Sequence, residues 1–189
     1  MEASVGADHR ARLIALLQLA YSGEKAAGYA YRGHWKSVSS IEERERIAKI
    51  EQEEWHHRKL VGEILAELGS GPDSGREVRA AAIGRTLGLL CHFSGWFFPM
   101  YGAGKLESRN IREYENAARY AVGCGQLQLV DCLLTMAEVE WEHEHYFRMK
   151  VQQHWLLRFV PIWPEPPAKP AIRASFTPPE SRTAIQVIS

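Results

Sequence analysis

Two tetrapeptides, Glu54-Trp55-His56-His57 and Glu140-Trp141-Glu142-His143, each place a carboxylate three residues before an imidazole. On an α-helix that spacing puts both side chains on one face, where they can hold a metal ion together. One such pair alone means little, because glutamate is common on solvated helix faces. The flanking residues supply the test, since a metal ligand must point into the core. Around the first pair the inward series reads Ile47, Ile50, Glu54, His57, Val61, Ile64, Leu68, and around the second Leu129, Leu133, Met136, Glu140, His143, Phe147. Each polar pair interrupts an apolar stripe. A buried carboxylate without a partner is costly, so two such interruptions require a compensating cation, which a divalent metal supplies. The adjacent pairs Glu53 with His56 and Glu142 with His145 fall off the stripes and are expected in solvent.

The elements that must position these residues are all helical. From Asp8 to His34, apolar residues at Leu13, Leu17, Ala20, Ala27 and Tyr31 follow helical steps, with Asp8 as an N-cap. Ser40 followed by Glu43 has the form of a capping box that opens a second helix, which runs to Leu68 and stops at Gly69. Residues 69–75 are a breaker cluster. A third helical region spans Arg76 to Val122, with a kink or fresh start near Gly95 to Pro99, where proline removes a backbone donor. Gly123-Cys124-Gly125 forms a tight turn, and the last helix runs from Gln126 to Leu157. No segment alternates with the period of a strand.

Residues equidistant from the turn of an antiparallel hairpin sit at the same height. Glu24 lies 14 residues before Val38 and Glu54 lies 16 after it. The mismatch is about 3 Å at the helical rise per residue. Glu107 lies 17 residues before Cys124 and Glu140 lies 16 after it. Each hairpin thus offers one single glutamate level with one Glu-x-x-His pair. Four carboxylates balance two divalent cations, and with two imidazoles they suit iron or manganese better than a thiolate-seeking metal. The expected centre has Glu54 and Glu140 bridging two metals and carrying the catalytic role, Glu24 and Glu107 as terminal ligands, and His57 and His143 one on each metal. The bland alternative is a metal-free bundle with buried salt bridges.

Composition bounds the rest. The 189 residues carry 23 basic and 23 acidic side chains and a hydrophobic share of 46%. That describes one globular domain with no charge imbalance to draw nucleic acid. The expected division is a helical domain over residues 1–158 and a tail over 159–189, because seven of the nine prolines fall between Pro161 and Pro179. Trp163 and Phe176 could dock that tail on the domain or on a neighbouring subunit, the alternative being a mobile terminus. Cys91, Cys124 and Cys132 form no C-x-x-C pair and suit reduced packing residues. The N-terminal residues lack the basic start and apolar run of a secretory signal, so the cytoplasm is the expected compartment.

The run Gly23-Glu24-Lys25-Ala26-Ala27-Gly28-Tyr29-Ala30-Tyr31-Arg32-Gly33 resembles the G-E-x-x-A-x-x-x-Y-x-G segment of the demethoxyubiquinone hydroxylases, ferritin-like di-iron monooxygenases of quinone biosynthesis. Glu138, Glu140, Trp141, Glu142 and His143 are similar to that family's E-x-E-L-E-H segment. The likeness covers roughly residues 8–155 and places the family's six metal ligands on Glu24, Glu54, His57, Glu107, Glu140 and His143. This chain has His34 where the family usually carries glutamine, and Gly104-Lys105-Leu106-Glu107 where it reads A-V-E. The proline-rich tail matches no part of the family pattern. Rubrerythrins share the ligand set but usually append a rubredoxin module with paired C-x-x-C motifs, which this chain lacks.

The resemblance implies an all-α, ferritin-like antiparallel four-helix bundle, to which the composition adds an extended proline-rich C-terminal tail. It implies two iron ions, with manganese as the alternative occupant, and a monooxygenase that uses O2 and an external electron donor to hydroxylate a hydrophobic, quinone-like substrate. Competing readings are a rubrerythrin- or ferritin-like peroxide reductase or ferroxidase, and a non-catalytic metal-binding bundle. Residues 86–104 are 19 in number and carry no formal charge. They are read as an apolar wall that admits the substrate or rests on the inner face of a membrane, with Trp96 and Phe97 setting substrate KM; core packing or a membrane span are the alternatives. The exposed aromatics and the tail are compatible with a homodimer.

Overall fold

Helices form wherever the apolar stripes run unbroken, and they stop at the breakers. The computed structural model describes residues 2–176, with side chains from Val5 onward. Among these residues there are six α-helices and no strand: α1 (Glu2–Ser37), α2 (Ile41–Glu67), α3 (Ser74–Leu90), α4 (Phe97–Gly123), α5 (Val130–Val151) and α6 (Lys169–Ala174). Short 3-10 turns occupy Leu127–Leu129 and Trp155–Arg158. Asp8 is no N-cap. It lies inside α1, where its carboxylate pairs with Arg12 one turn later at 2.9 Å. Ser40 does cap α2, its hydroxyl accepting the Glu43 N–H at 3.4 Å. The reciprocal half of the capping box is missing, because the Glu43 carboxylate accepts from the Trp96 indole instead.

The third helical region is two helices, α3 and α4, separated by the residues around Gly95. Gly69 and Gly125 take positive φ just beyond α2 and α4, a conformation that glycine adopts without strain. The last long helix ends at Val151, earlier than Leu157. There His154 takes an extended backbone and its ring accepts the Leu156 N–H, which starts a separate 3-10 turn.

Two apolar clusters build the core, and α1, α2, α4 and α5 contribute to both. The first contains Leu13, Leu17, Val61, Leu65, Ile111, Tyr114, Leu133 and Met136; the second contains Tyr31, Ile47, Ile50, Phe97, Met100, Phe147 and Val151. The centre described below lies on the same helix stripes, between the residues of these clusters. α3 joins differently, through a seam of small residues. A Cβ added at Gly33 would lie 2.1 Å from the Gly88 carbonyl oxygen, and one at Gly84 would lie 2.3 Å from the Ala26 carbonyl oxygen. Only glycine allows this approach of α3 to α1. Of α3, only Ala80, Gly84 and Gly88 are buried, so its larger apolar residues remain exposed.

The tail is neither wholly extended nor detached over its described part. Trp163 is buried in the second cluster, and its indole N–H donates to Glu144 at 2.6 Å. Arg148, itself buried, donates to the same carboxylate and to the Trp163 and Pro164 carbonyls at 3.2 and 3.1 Å. Beyond the prolines, α6 packs Ile172 into the first cluster, and Phe176 lies against it. The remaining tail residues, 177–189, lie outside the described residues. No described helix is long and apolar enough to cross a membrane, which removes the span as a reading of residues 86–104.

Candidate metal centre

Four helices deliver six chelating side chains to one place. Glu24 comes from α1, Glu54 and His57 from α2, Glu107 from α4, and Glu140 and His143 from α5. All six are buried, and Glu54, Glu107, Glu140 and His143 have no exposed surface. Donor atoms of Glu24, Glu54, His57 and Glu140 lie within 4.8 Å of one another, and those of Glu54, Glu107, Glu140 and His143 form a second such group. Each group could hold a metal ion. Glu54 and Glu140 belong to both, so the two groups overlap through two carboxylates. The structure thereby brings together every residue that the spacing singled out.

The donors fit a cation because protein groups alone leave them underused. Both carboxylate oxygens of Glu54, one oxygen each of Glu24 and Glu140, and Nδ1 of His143 are buried without a hydrogen bond. His57 Nδ1 lies 2.8 Å from Glu140 Oε1. His143 Nδ1 comes within 3.2 Å of Glu54 and 3.5 Å of Glu140 but lacks hydrogen-bond alignment. Native interiors rarely leave this many polar atoms unpaired, and a metal ion would satisfy them together.

Electrostatics point the same way. Burial, then repulsion from the neighbouring carboxylates, pushes the Glu54 carboxyl well above the usual range, and Glu24 and Glu107 also rise, burial first and Glu140 second. Burial opposes the charge of Glu140 too, but the imidazoles of His143 and His57 beside it outweigh burial and hold its carboxyl low. Burial alone would keep His143 neutral; its contacts with Glu140, Glu53 and Glu54 reverse the balance and raise it well above the ordinary imidazole value. Crowded, desolvated carboxylates of this kind are relieved by a divalent ion.

A second ring of residues fixes the donors. The Tyr31 hydroxyl donates to Glu107, and Asn110 Nδ2 donates to the other oxygen of that carboxylate at 2.8 Å. The Tyr114 hydroxyl donates to Glu24. The arrangement is reciprocal: each tyrosine follows the single glutamate of its own helix by seven residues and reaches across to the glutamate of the other helix. Glu53 is not a solvated bystander. It is half-buried, and its carboxylate pairs with His143 Nε2 at 2.8 Å, leaving Nδ1 turned toward Glu54 and Glu140. Metal-ligating histidines commonly use such a carboxylate to set ring orientation. His56, Glu142 and His145 are exposed as expected. Sequence reasoning passed over Tyr114, Asn110 and Glu53 as partners; the repeated seven-residue spacing from Glu24 to Tyr31 and from Glu107 to Tyr114 was the available signal for one of them.

Beside the centre, α1, α3 and the start of α4 enclose an apolar cleft of about 400 Å³. Leu87, Leu90, Phe98 and Ala103 line it, with Tyr31 and His34 at its α1 side. Tyr31 therefore touches both the cleft and Glu107. Trp96 and Phe97 are not its walls. Phe97 points into the core, and Trp96 turns to hydrogen-bond Glu43, while the next residue, Phe98, faces the cleft. His34 is buried, its Nε2 has no partner, and burial lowers its imidazole pKa to about 4, which keeps the ring neutral.

No protein-family model matches the chain, and neither does any curated protein or solved structure.

Proposed function

We propose that the chain is a ferritin-like four-helix bundle, akin to the demethoxyubiquinone hydroxylases, that holds two iron ions and hydroxylates a hydrophobic, quinone-like substrate with O2. The observation that carries this reading is the pair of overlapping four-residue donor groups sharing Glu54 and Glu140. Iron bound there would supply the redox chemistry that activates O2.

The chain's own residues set the conditions. Glu24, Glu54, His57, Glu107, Glu140 and His143 would hold the metals, with Glu54 and Glu140 common to both. Tyr31 and Tyr114 hold the terminal carboxylates by hydroxyl hydrogen bonds, and Glu53 orients His143. The apolar cleft supports a greasy substrate, because its lining offers area for hydrophobic contact and few groups that require water. His34, neutral and unpaired, is available at the α1 side of the cleft to hydrogen-bond a substrate oxygen. Leu87, Leu90 and Phe98 of the cleft lining are exposed, which supports peripheral contact with a membrane surface from which such a substrate could enter.

The test has two arms. Metal content after iron-supplemented expression should approach two irons per chain and collapse in Glu54→Ala. With iron loaded, Leu90→Glu should raise KM for a quinone-like substrate without lowering iron content. Peroxide turnover without any hydroxylated product would move the assignment to a peroxide reductase or ferroxidase, and absence of metal after anaerobic reconstitution would leave a structural bundle.

A further inference from the structure

A second, smaller cavity of about 40 Å³ lies between α1 and α4, lined by Ala20, Gly23, Glu24, Leu106, Asn110, Glu113 and Tyr114. Its lining grades from surface to centre. Gly23 and Leu106 are exposed, Asn110 and Glu113 are partly covered, and Glu24 and Tyr114 are buried. At the mouth, a Cβ built on Gly23 meets nothing within 4 Å, so the absent side chain leaves open space. At the floor, Glu24 is 3% exposed and its Oε2 has no hydrogen-bond partner. Between them Glu113 makes no ion pair or hydrogen bond among the described residues, although Arg109 lies one turn before it on α4. A water needs roughly 10–15 Å³ of such space, so the cavity admits a small, partly hydrated ion.

We propose that this cavity is the port through which a divalent metal ion reaches the centre, with Glu113 as a transit ligand that passes the ion to Glu24. The proposal rests on the metal-centre reading and adds the path that fills it. A hydrated dication needs oxygen donors along its whole course, because shedding water against apolar walls is prohibitive. The cavity supplies them in order: the Glu113 carboxylate, the Asn110 side chain that already bonds Glu107, and the free oxygen of Glu24. The larger cleft by Leu87 and Phe98 offers no carboxylate in its lining, so the two openings divide the work between apolar substrate and metal.

The experiment is anaerobic Fe2+ uptake by the metal-free full chain, with samples quenched at intervals by a strong external chelator and protein-bound iron counted after gel filtration. The variants are Glu113→Gln, which removes the transit charge, and Gly23→Leu, which fills the mouth. Leucine forms helix better than glycine and meets open space at this position, so the second variant keeps its fold. Glu63→Gln, an exposed carboxylate off the cavity, controls for net charge. Both port variants should load roughly tenfold more slowly than wild type and Glu63→Gln, with the final iron content unchanged. If wild type fills to two ions and both port variants fill at the same rate, the port is overturned and the centre stands. If wild type takes up no iron, the centre is overturned and the port falls with it.

Discussion

Replacing Glu54 by methionine separates a metal centre from a buried salt-bridge network by the sign of its effect. Glu54 has no exposed surface, and neither carboxylate oxygen accepts a hydrogen bond. Each unsatisfied buried acceptor costs about 1–3 kcal/mol. Methionine fills a similar volume without them, and part of the gain is lost to imperfect packing, so the metal-free variant should be about 2 kcal/mol more stable than metal-free wild type. For a chain of this size that raises Tm by about 4–8 °C. His143 keeps its Nε2 bond to Glu53, so the substitution strands no new charge there. With metal the order reverses. Occupancy at 100 times Kd contributes about 2.7 kcal/mol per ion, so two ions should lift wild type above the variant, which loses a donor common to both groups. The assay is thermal unfolding by circular dichroism, with chelator and with excess Fe2+ under anaerobic conditions. A metal-free variant that melts well below wild type, or a variant that gains as much from metal as wild type does, would refute the reasoning.

Three further outcomes are expected. Tyr114→Phe removes the hydroxyl that holds Glu24 and should weaken metal affinity by about 10–100-fold while the helical circular dichroism is unchanged, measured by competition with a chelator of known affinity. Trp163→Ala empties a buried site against Gly104 and removes the indole donor to Glu144, and should cost about 3–5 kcal/mol in urea unfolding. The metal-free protein should melt at lower temperature as pH rises from about 5.5 to 8. Glu54, Glu107 and His143 have raised folded-state pKa values and together outweigh the opposite effect of His34, which is lowered to about 4, so the folded chain binds more protons than the unfolded one in that window and stability falls with pH. The lowered Glu140 carboxyl adds no slope there, because it is ionised in both states above the ordinary glutamate range. Metal loading should reverse the trend, since the donors must lose protons to bind.

The amino-acid sequence alone made the long helical stretches and the Glu54/His57 and Glu140/His143 pairs legible, because both follow from local periodicity, and the hairpin heights then singled out Glu24 and Glu107. A side chain three, four or seven residues away on a helix lies on the same face whatever the helix packs against, so the stripes through Glu54 and Glu140 were legible, as were the breaks at Gly69 and Gly125. Interactions between helices were not legible in that way. That Glu53 would leave solvent for His143, that Tyr114 would cross to Glu24, and that Phe98 rather than Phe97 would face the cleft depend on how neighbouring helices are rotated and spaced. The tail shows the same limit: its prolines forbid a long helix, yet Trp163 is anchored by Glu144 and Arg148, residues of α5 that no local pattern pairs with it. Only the tertiary structure decided these contacts, because each is a choice among many surfaces of equal local preference, made by whichever packing buries the most apolar area while leaving the fewest polar atoms unpaired.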